Sequence, residues 1–495
     1  MKQNVVEIKN VSFRYKGSDE GLLKNVSLFV KEGETLLLCG ASGSGKTTLI
    51  RLINGLIPHY YPGELEGSMV VAGHDIKQTE LYEMAGIVGT VFQNPRSQFF
   101  SVDTDGEIVF GPENIGLDTD EIIKRKNAIV SDMNIEKLLG RSLFELSGGE
   151  KQKIACASVA ALFPNVILLD EPSSNLDTLS IKDLRQLIIK WKEQGKTIVI
   201  SEHRLWYLRD IVDRVIYMKD GDIGEEWSGT EFSSFDRNKI RDLKLRPINT
   251  EIIDEQKNKN TNKKPITKRE SESILLKDFY FSYKKRPYIF RKKKFTENDK
   301  DILNLNIPKL SLPRGKVIGV LGKNGTGKST FLRCVCGLEK DCSGVISLLG
   351  TDYKAKDCLK LCYMVMQDVN HQLFTDSVEA EVFLSMKEKD KIRCHEILDR
   401  LDLLSYKDKH PMALSGGQKQ RVAVASAIAS EAEILLFDEP TSGLDYVHME
   451  VVGNLLTRLA SAGYTVIVST HDSELIDLCC DHLLYIEKGK VSKFV

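Results

Sequence analysis

The chain has 495 residues, with 69 Lys or Arg against 70 Asp or Glu, a formal charge of −1. That length accommodates two or three domains, and the near-neutral balance carries no polyanion-binding signature, so composition asks for no nucleic-acid partner. No apolar run approaches the roughly twenty residues of a membrane span, and the opening MKQNVVEIKNVSF lacks a charged lead and apolar core, so no secretory signal is expected.

In chain order, the strand-like opening carries Tyr15, and the apolar run Leu36 to Leu38 reads as a short buried strand. It feeds directly into GASGSGKT, Gly40 to Thr47. In that pattern Gly40, Ser42, Gly43, Ser44 and Gly45 let backbone amides converge on phosphate oxygens and Lys46 reaches the outer phosphates. The Thr47 hydroxyl suits magnesium, and Thr48 starts a helix whose positive end faces the phosphates. Next come FQNPRSQFF, Phe92 to Phe100, and LSGGE, Leu146 to Glu150. Ser147 at a helix start, with Gly148 and Gly149, offers a hydroxyl and bare amides, an anion site without a lysine.

The apolar run Val166 to Leu169 delivers two adjacent carboxylates, Asp170 and Glu171, to a strand exit. The first suits magnesium through water, and the second suits polarising a water for in-line attack on a γ-phosphate. A second strand-like run, Ile198 to Ile200, is followed by ISEHR, where a neutral His203 could hydrogen-bond the γ-phosphate or that water. The first module closes near Phe235, after DRVIYMKDG.

Residues 236–273 are expected to be a polar flexible linker. Their later part, Asn249 to Ser273, is rich in Lys, Asn, Glu and Thr and cannot bury enough apolar surface to fold. From 274 to 495 the order of motifs repeats. GKNGTGKS supplies Gly322, Asn324, Gly325, Thr326, Gly327, Lys328 and Ser329, with Thr330 next. MQDVNHQLF carries Gln367. LSGGQ carries Ser415, Gly416 and Gly417. Ile434 to Phe437 lead into Asp438 and Glu439, and VSTHD carries His471.

Subtraction exposes the duplication. Tyr15 and Tyr283, Ser147 and Ser415, Asp170 and Asp438, and His203 and His471 are each 268 apart, whereas Lys46 and Lys328 are 282 apart and Gln93 and Gln367 are 274 apart. Unchanged spacings mark a framework and changed ones mark surface connections, so this is an internal repeat. The added length before the second phosphate loop falls in the basic, aromatic-bearing stretch Lys284 to Lys300, which reads as an exposed hairpin loop or, more sharply, as a contact with lipid headgroups or a partner's acidic surface. Ten cysteines at irregular spacing include Cys334, Cys336 and Cys342, which lack the paired spacing of structural zinc sites and read as packed core thiols. Alternating short buried strands and helices give an α/β fold with parallel strands and the reactive groups at strand carboxyl ends.

This ordered set resembles the ATP-binding-cassette (ABC) ATPases, with LSGGE and LSGGQ as the specific signal. The resemblance implies two tandem P-loop NTPase domains, each with a parallel-sheet core, an antiparallel β subdomain and a helical subdomain bearing the signature. It implies ATP and Mg2+ as cofactors. Thr47, Gln93 and Asp170 would be metal ligands in one half, and Ser329, Gln367 and Asp438 in the other. Glu171, Glu439, His203 and His471 would be catalytic, and Tyr15 and Tyr283 would stack on adenine. It further implies that the halves pair head to tail, each lending its signature serine and glycines to the nucleotide of the other. Glu150 departs from the usual glutamine of the signature, and Asn175 stands where the second copy has Gly443.

The shared Q-x4-Q-x-F segments, NGLIPHYYPGELEG at Asn54 to Gly67, and ISEHR are similar to the fused ATPases of energy-coupling-factor importers of vitamins and transition-metal ions. That likeness implies an energy-coupling transmembrane subunit and a substrate-binding membrane subunit as partners, no nucleic acid, and a peripheral position on the cytoplasmic face of the membrane. The rival is a soluble twin-cassette ATPase acting on ribosomes, whose linker would be long, helical and basic.

Overall fold

The computed structural model describes residues 3–17, 22–174, 176–249, 273–284, 303–414 and 416–495. The chain divides into an N-terminal and a C-terminal compact unit near residue 251.

In the first unit β1 (Asn4–Tyr15), β2 (Leu23–Lys31), β4 (Gly63–Val71) and β5 (His74–Asp75) form an antiparallel sheet in the order β2-β1-β4-β5. Val6, Ile8, Val11 and Phe13 of β1 all face the core, which strict alternation would forbid. Asn10 resolves the conflict: it takes a left-handed backbone, φ 51°, and the pairing register shifts between Ile8 and Val11. Asp278, its repeat equivalent, does the same at φ 58°.

The larger sheet has the order β10-β9-β3-β8-β7-β6, from β3 (Thr35–Gly40), β6 (Val88–Val91), β7 (Val166–Asp170), β8 (Thr197–Ser201), β9 (Arg214–Lys219) and β10 (Asp222–Ser228). Pairs from β6 to β9 are parallel, and β10 is antiparallel to β9. Every residue of β3, β7 and β8 is buried, as apolar strands covered on both faces require. Helices Thr104–Asn114, Thr119–Met133 and Gly148–Ala160 form the helical part that carries the signature.

The second unit repeats both sheets. β11 (Ser273–Phe281), β12 (Leu305–Pro313), β14 (Ser343–Leu348) and β15 (Thr351–Lys354) give β12-β11-β14-β15. β13 (Val317–Leu321), β16 (Cys362–Val365), β17 (Ile434–Asp438), β18 (Thr465–Ser469), β19 (His482–Glu487) and β20 (Lys490–Phe494) give β16-β17-β18-β13-β19-β20, the same order read from the other edge. The fold is therefore two tandem α/β P-loop domains with mixed sheets.

The expected linker start at residue 236 is corrected. Helix Arg237–Asp242 and the segment after it bury Ile240, Leu243, Leu245 and Ile248 in the core of the first unit, near Trp227 and Phe232. Four apolar side chains hidden in a polar stretch outweigh its average composition. Residues 250–272 of the linker and 285–300 of the basic insertion lie outside the described residues, as do Asn175 and Ser415. Cys334, Cys336 and Cys342 are buried, and no metal-holding cluster occurs among the described residues.

Candidate functional site

Each site grows from strand exits of the larger sheet. β3 and β13 end in the phosphate loops, and helices Lys46–Ile53 and Lys328–Cys336 follow. Their N-caps, Gly45 at φ 102° and Gly327 at φ 105°, provide no side-chain cap, so the first amides of each helix point out unblocked. Gly40 admits no side chain, because a Cβ there would lie 2.2 Å from the Met218 carbonyl oxygen. Gly322 stands in the same position, with the Ile486 carbonyl oxygen at 2.3 Å.

Lys46 is buried, and its Nζ donates to the carbonyls of Gly40 at 3.0 Å and Ala41 at 2.8 Å, which arches the loop over the ammonium. Burial draws its pKa below the ordinary lysine range, with Glu171 pulling the other way. Lys328 repeats the arrangement on Gly322 at 2.9 Å and Lys323 at 3.1 Å.

β7 brings Asp170 to the phosphate-loop helix, where the Thr47 hydroxyl donates to its Oδ1 at 3.2 Å. Burial, and next the adjacent Glu171, push the Asp170 carboxyl up to about 6. Asp438 is likewise raised by burial, with bonds from Ser329 and Ser469 opposing, and its buried Oδ1 has no hydrogen-bond partner among the described residues. A hydroxyl beside a poorly solvated carboxylate in each unit is an oxygen donor set that fits a hard divalent cation.

Glu171 and Glu439 each adopt a left-handed backbone, φ 46° and 48°, an unfavourable conformation for a side chain of that size. It is held by the neighbouring strand: Glu171 N–H donates to the Ser201 carbonyl at 2.8 Å, and Glu439 N–H to that of Ser469 at 2.9 Å. Gln93 Nε2 donates to Glu171 Oε2 at 2.6 Å, and His203 Nε2 lies 3.2 Å from Oε1. Burial alone would raise the Glu171 carboxyl, but His203 and Lys46 together hold the group below its ordinary range.

The second unit differs here. His471 Nε2 lies 2.8 Å from Lys328 Nζ, 2.9 Å from Asn324 Oδ1 and 3.5 Å from Glu439 Oε1.

Tyr15 and Tyr283 reach the same helix position, their hydroxyls 3.4 Å and 3.1 Å from the Thr48 and Thr330 hydroxyls. In the first unit an arginine joins, Arg51 donating to the Tyr15 hydroxyl at 3.0 Å, whereas its counterpart Arg333 pairs with Glu339 at 2.6 Å.

Ser147 caps helix Gly148–Ala160. Its Oγ accepts from Glu150 N–H at 3.3 Å, and Glu150 Oε2 accepts from Ser147 N–H at 2.8 Å, a reciprocal capping box. Arg141 bonds the other Glu150 oxygen at 2.9 Å. Burial opposes, but the Ser147 bonds and Arg141 hold the Glu150 carboxyl below its ordinary range. The acidic substitution in the first signature is thus neutralised locally.

Two pairs of polar residues emerge whose contacts spacing alone does not give. Gln98 Oε1 accepts from Phe92 N–H at 3.2 Å, and Gln372 Oε1 from Met366 N–H at 3.1 Å. Glu107 is buried and accepts from Phe100 N–H at 3.0 Å and Ser101 N–H at 2.9 Å, while Glu381 accepts from Phe374 N–H at 3.1 Å and Thr375 N–H at 3.0 Å. The clue in the sequence was their common offset of 274, shared with Gln93 and Gln367. These groups brace the loops after Gln93 and Gln367 and hold Phe100 and Phe374 outward, 75% and 71% exposed.

The family model described as ABC transporter matches residues 23–174 and 305–442. A Treponema denticola protein named as an ABC transporter ATP-binding protein is 45% identical over 99% of this chain and 96% of its own length. A similarly named protein of Saccharolobus solfataricus is 34% identical over 98% of this chain and 93% of its own length. Among solved structures, a model of ribosome-bound archaeal Pelota and ABCE1 aligns with TM-score 0.63 and 19% identity over 98% of this chain and 78% of that one, a likeness of fold alone. With matched segments in both halves and close relatives spanning its whole length, this chain belongs to the ABC transporter family of ATP-binding proteins, as a duplicated ATPase.

Proposed function

We propose that this ATPase is the motor of an energy-coupling-factor type importer, driving uptake of a vitamin or transition-metal ion through an energy-coupling transmembrane subunit and a substrate-binding membrane subunit at the cytoplasmic face of the membrane. The observation that carries this reading is an apolar groove beside the Gln93 loop. Its cavity of about 310 Å³ is walled by Leu81, Phe92, Phe100, Phe110 and Val159, and the Phe100 and Phe110 rings stack at 4.9 Å. Its dimensions and apolar lining suit a short amphipathic helix from a membrane subunit. No helix among the described residues is long and apolar enough to cross a membrane, so this reading requires separate membrane subunits.

ABC ATPases bind ATP with Mg2+. In the proposed site Lys46 and Lys328, with the amides of residues 42–48 and 324–330, bind and orient the phosphates. Tyr15 and Tyr283 bear on the adenine, and Ser147 to Gly149 and Ser415 to Gly417 bear on phosphate oxygens. Thr47, Gln93 and Asp170, and Ser329, Gln367 and Asp438, would hold Mg2+. The metal would neutralise charge on the outer phosphates. Glu171 and Glu439 take the proton of the attacking water, and His203 and His471 orient the γ-phosphate. Since Gln93 bonds Glu171 directly, a helix seated in the groove bears on the base through one side chain.

The test is tagged expression in the native cell, mild solubilisation of membranes and identification of what co-purifies. Hydrophobic membrane subunits that are lost with Phe100→Asp and Phe374→Asp support the proposal. Recovery with ribosomal particles, unaffected by those changes, overturns it.

A further inference from the structure

The strand bearing each histidine exits differently in the two units. Residues 200–204 read Ile-Ser-Glu-His-Arg, and residues 468–472 read Val-Ser-Thr-His-Asp at the constant offset of 268. In the first unit Glu202 is 2% exposed, and its carboxylate accepts four bonds. One oxygen takes the N–H groups of His203 at 2.8 Å and Arg204 at 3.1 Å; the other takes the Tyr207 hydroxyl at 2.8 Å and the Ser173 N–H at 3.3 Å.

In the second unit the carboxylate has moved across the histidine. Position 470 is Thr, and the buried Asp472 accepts from the Thr441 hydroxyl at 2.9 Å and from the N–H groups of Glu474 and Leu475 at 3.2 Å and 3.4 Å. Ser173 and Thr441 are repeat equivalents, two residues beyond Glu171 and Glu439. Both units therefore tie the loop after the base to the loop bearing the histidine through one buried carboxylate, supplied from opposite sides of that histidine. Leu475 stands at the position of Tyr207, so the phenol hydroxyl accompanies the carboxylate at 202. Burying a carboxylate is costly unless its oxygens are satisfied, and all four bonds here lead to the two loops or to Tyr207 in the turn behind them.

We propose that Glu202 is a positioning residue of the first ATPase site and the transposed counterpart of Asp472. It acts through its neighbours, fixing the Glu171 loop against the His203 loop so that their side chains stay at the observed 3.2 Å. The proposal rests on the assignment of Glu171 and His203 to the hydrolytic chemistry.

The test uses the full chain carrying Glu439→Gln, so that hydrolysis reports the first site, with a parallel set in which Glu439 is intact. Glu202→Thr, Glu202→Gln, and the transplant Glu202→Thr with Arg204→Asp and Tyr207→Leu are compared for kcat, KM for MgATP and melting temperature. Glu202→Thr should lower kcat at least about tenfold with KM within about threefold, and the transplant should recover kcat to within about threefold of the parent.

Undiminished kcat in Glu202→Thr overturns the proposal, and so does a transplant that melts with the parent yet stays as slow as Glu202→Thr. If Glu202→Thr melts more than about 5 °C early, the isosteric Glu202→Gln decides, and the proposal then requires a slowed kcat at the parental melting temperature. Glu171→Gln in the same set separates the two claims. If Glu171→Gln is fast, the assignment of the base fails and the proposal with it; if Glu171→Gln is slow and Glu202→Thr is fast, only the proposal fails.

Discussion

Gln93 and Glu171 are joined by a hydrogen bond of 2.6 Å between side chains that lie 78 residues apart in the chain. It connects the groove-side loop to the proposed base. Replacing Gln93 with Ala should remove a charge-assisted bond and lower hydrolysis at the first site about tenfold, with little change in KM. Steady-state phosphate release on the full chain carrying Glu439→Gln checks this, and unchanged kcat would show that the bond does not hold the base.

Glu171→Gln together with Glu439→Gln should retain ATP binding while turnover falls about a hundredfold or more, the usual span of general-base catalysis. Nucleotide binding by equilibrium dialysis and phosphate release together decide it. Undiminished turnover in the double variant is the result that refutes the assignment.

The glycines of the first phosphate loop should differ in what they tolerate. Gly40→Ala pushes a Cβ to 2.2 Å from the Met218 carbonyl oxygen, so backbone must shift, and a loss of about 3 kcal/mol or more is expected. Gly43 also has positive φ, 79°, but open space around it, so Gly43→Ala should cost only about 1 kcal/mol. Denaturant melts of the two variants test the contrast.

Glu150 is held ionised by Ser147 and Arg141, so its folded pKa is depressed. A depressed carboxylate stabilises the fold above its unfolded pKa and loses that contribution as pH falls through the folded value. Glu150→Gln should therefore cost about 0.5 kcal/mol at neutral pH. The difference should vanish in acid, below the ordinary carboxylate range. Paired melts at the two pH values measure it.

Ile240 tests where the first unit ends. It is 4% exposed in a segment whose composition reads as linker, and Ile240→Ala should destabilise that unit by about 2–4 kcal/mol. A change within error would return residues 236–249 to the tether.

Much of this was legible beforehand because phosphate loops, the paired carboxylates and the signatures are contiguous strings whose chemistry is local. The buried parallel strands were legible in apolar runs such as Val166 to Leu169, which suit a sheet covered on both faces. The role of Glu202 is not legible in the sequence, although it sits beside His203. Its partners Ser173 and Tyr207 lie on either side of it in the chain, and only folding shows that one carboxylate serves both. The short helix at Arg237–Asp242 was lost for the opposite reason, since four buried residues were averaged with the polar run that follows them. The different surroundings of His203 and His471 depend on rotamers, which no spacing encodes.

His203 leans on a glutamate and His471 on a lysine, and both are encoded in one polypeptide. Motors assembled from two separate gene products can exchange or duplicate a subunit. Here the two unlike sites are made in equal number in every molecule, so whatever partner distinguishes them meets each one once, and selection can tune either without risk of mispairing.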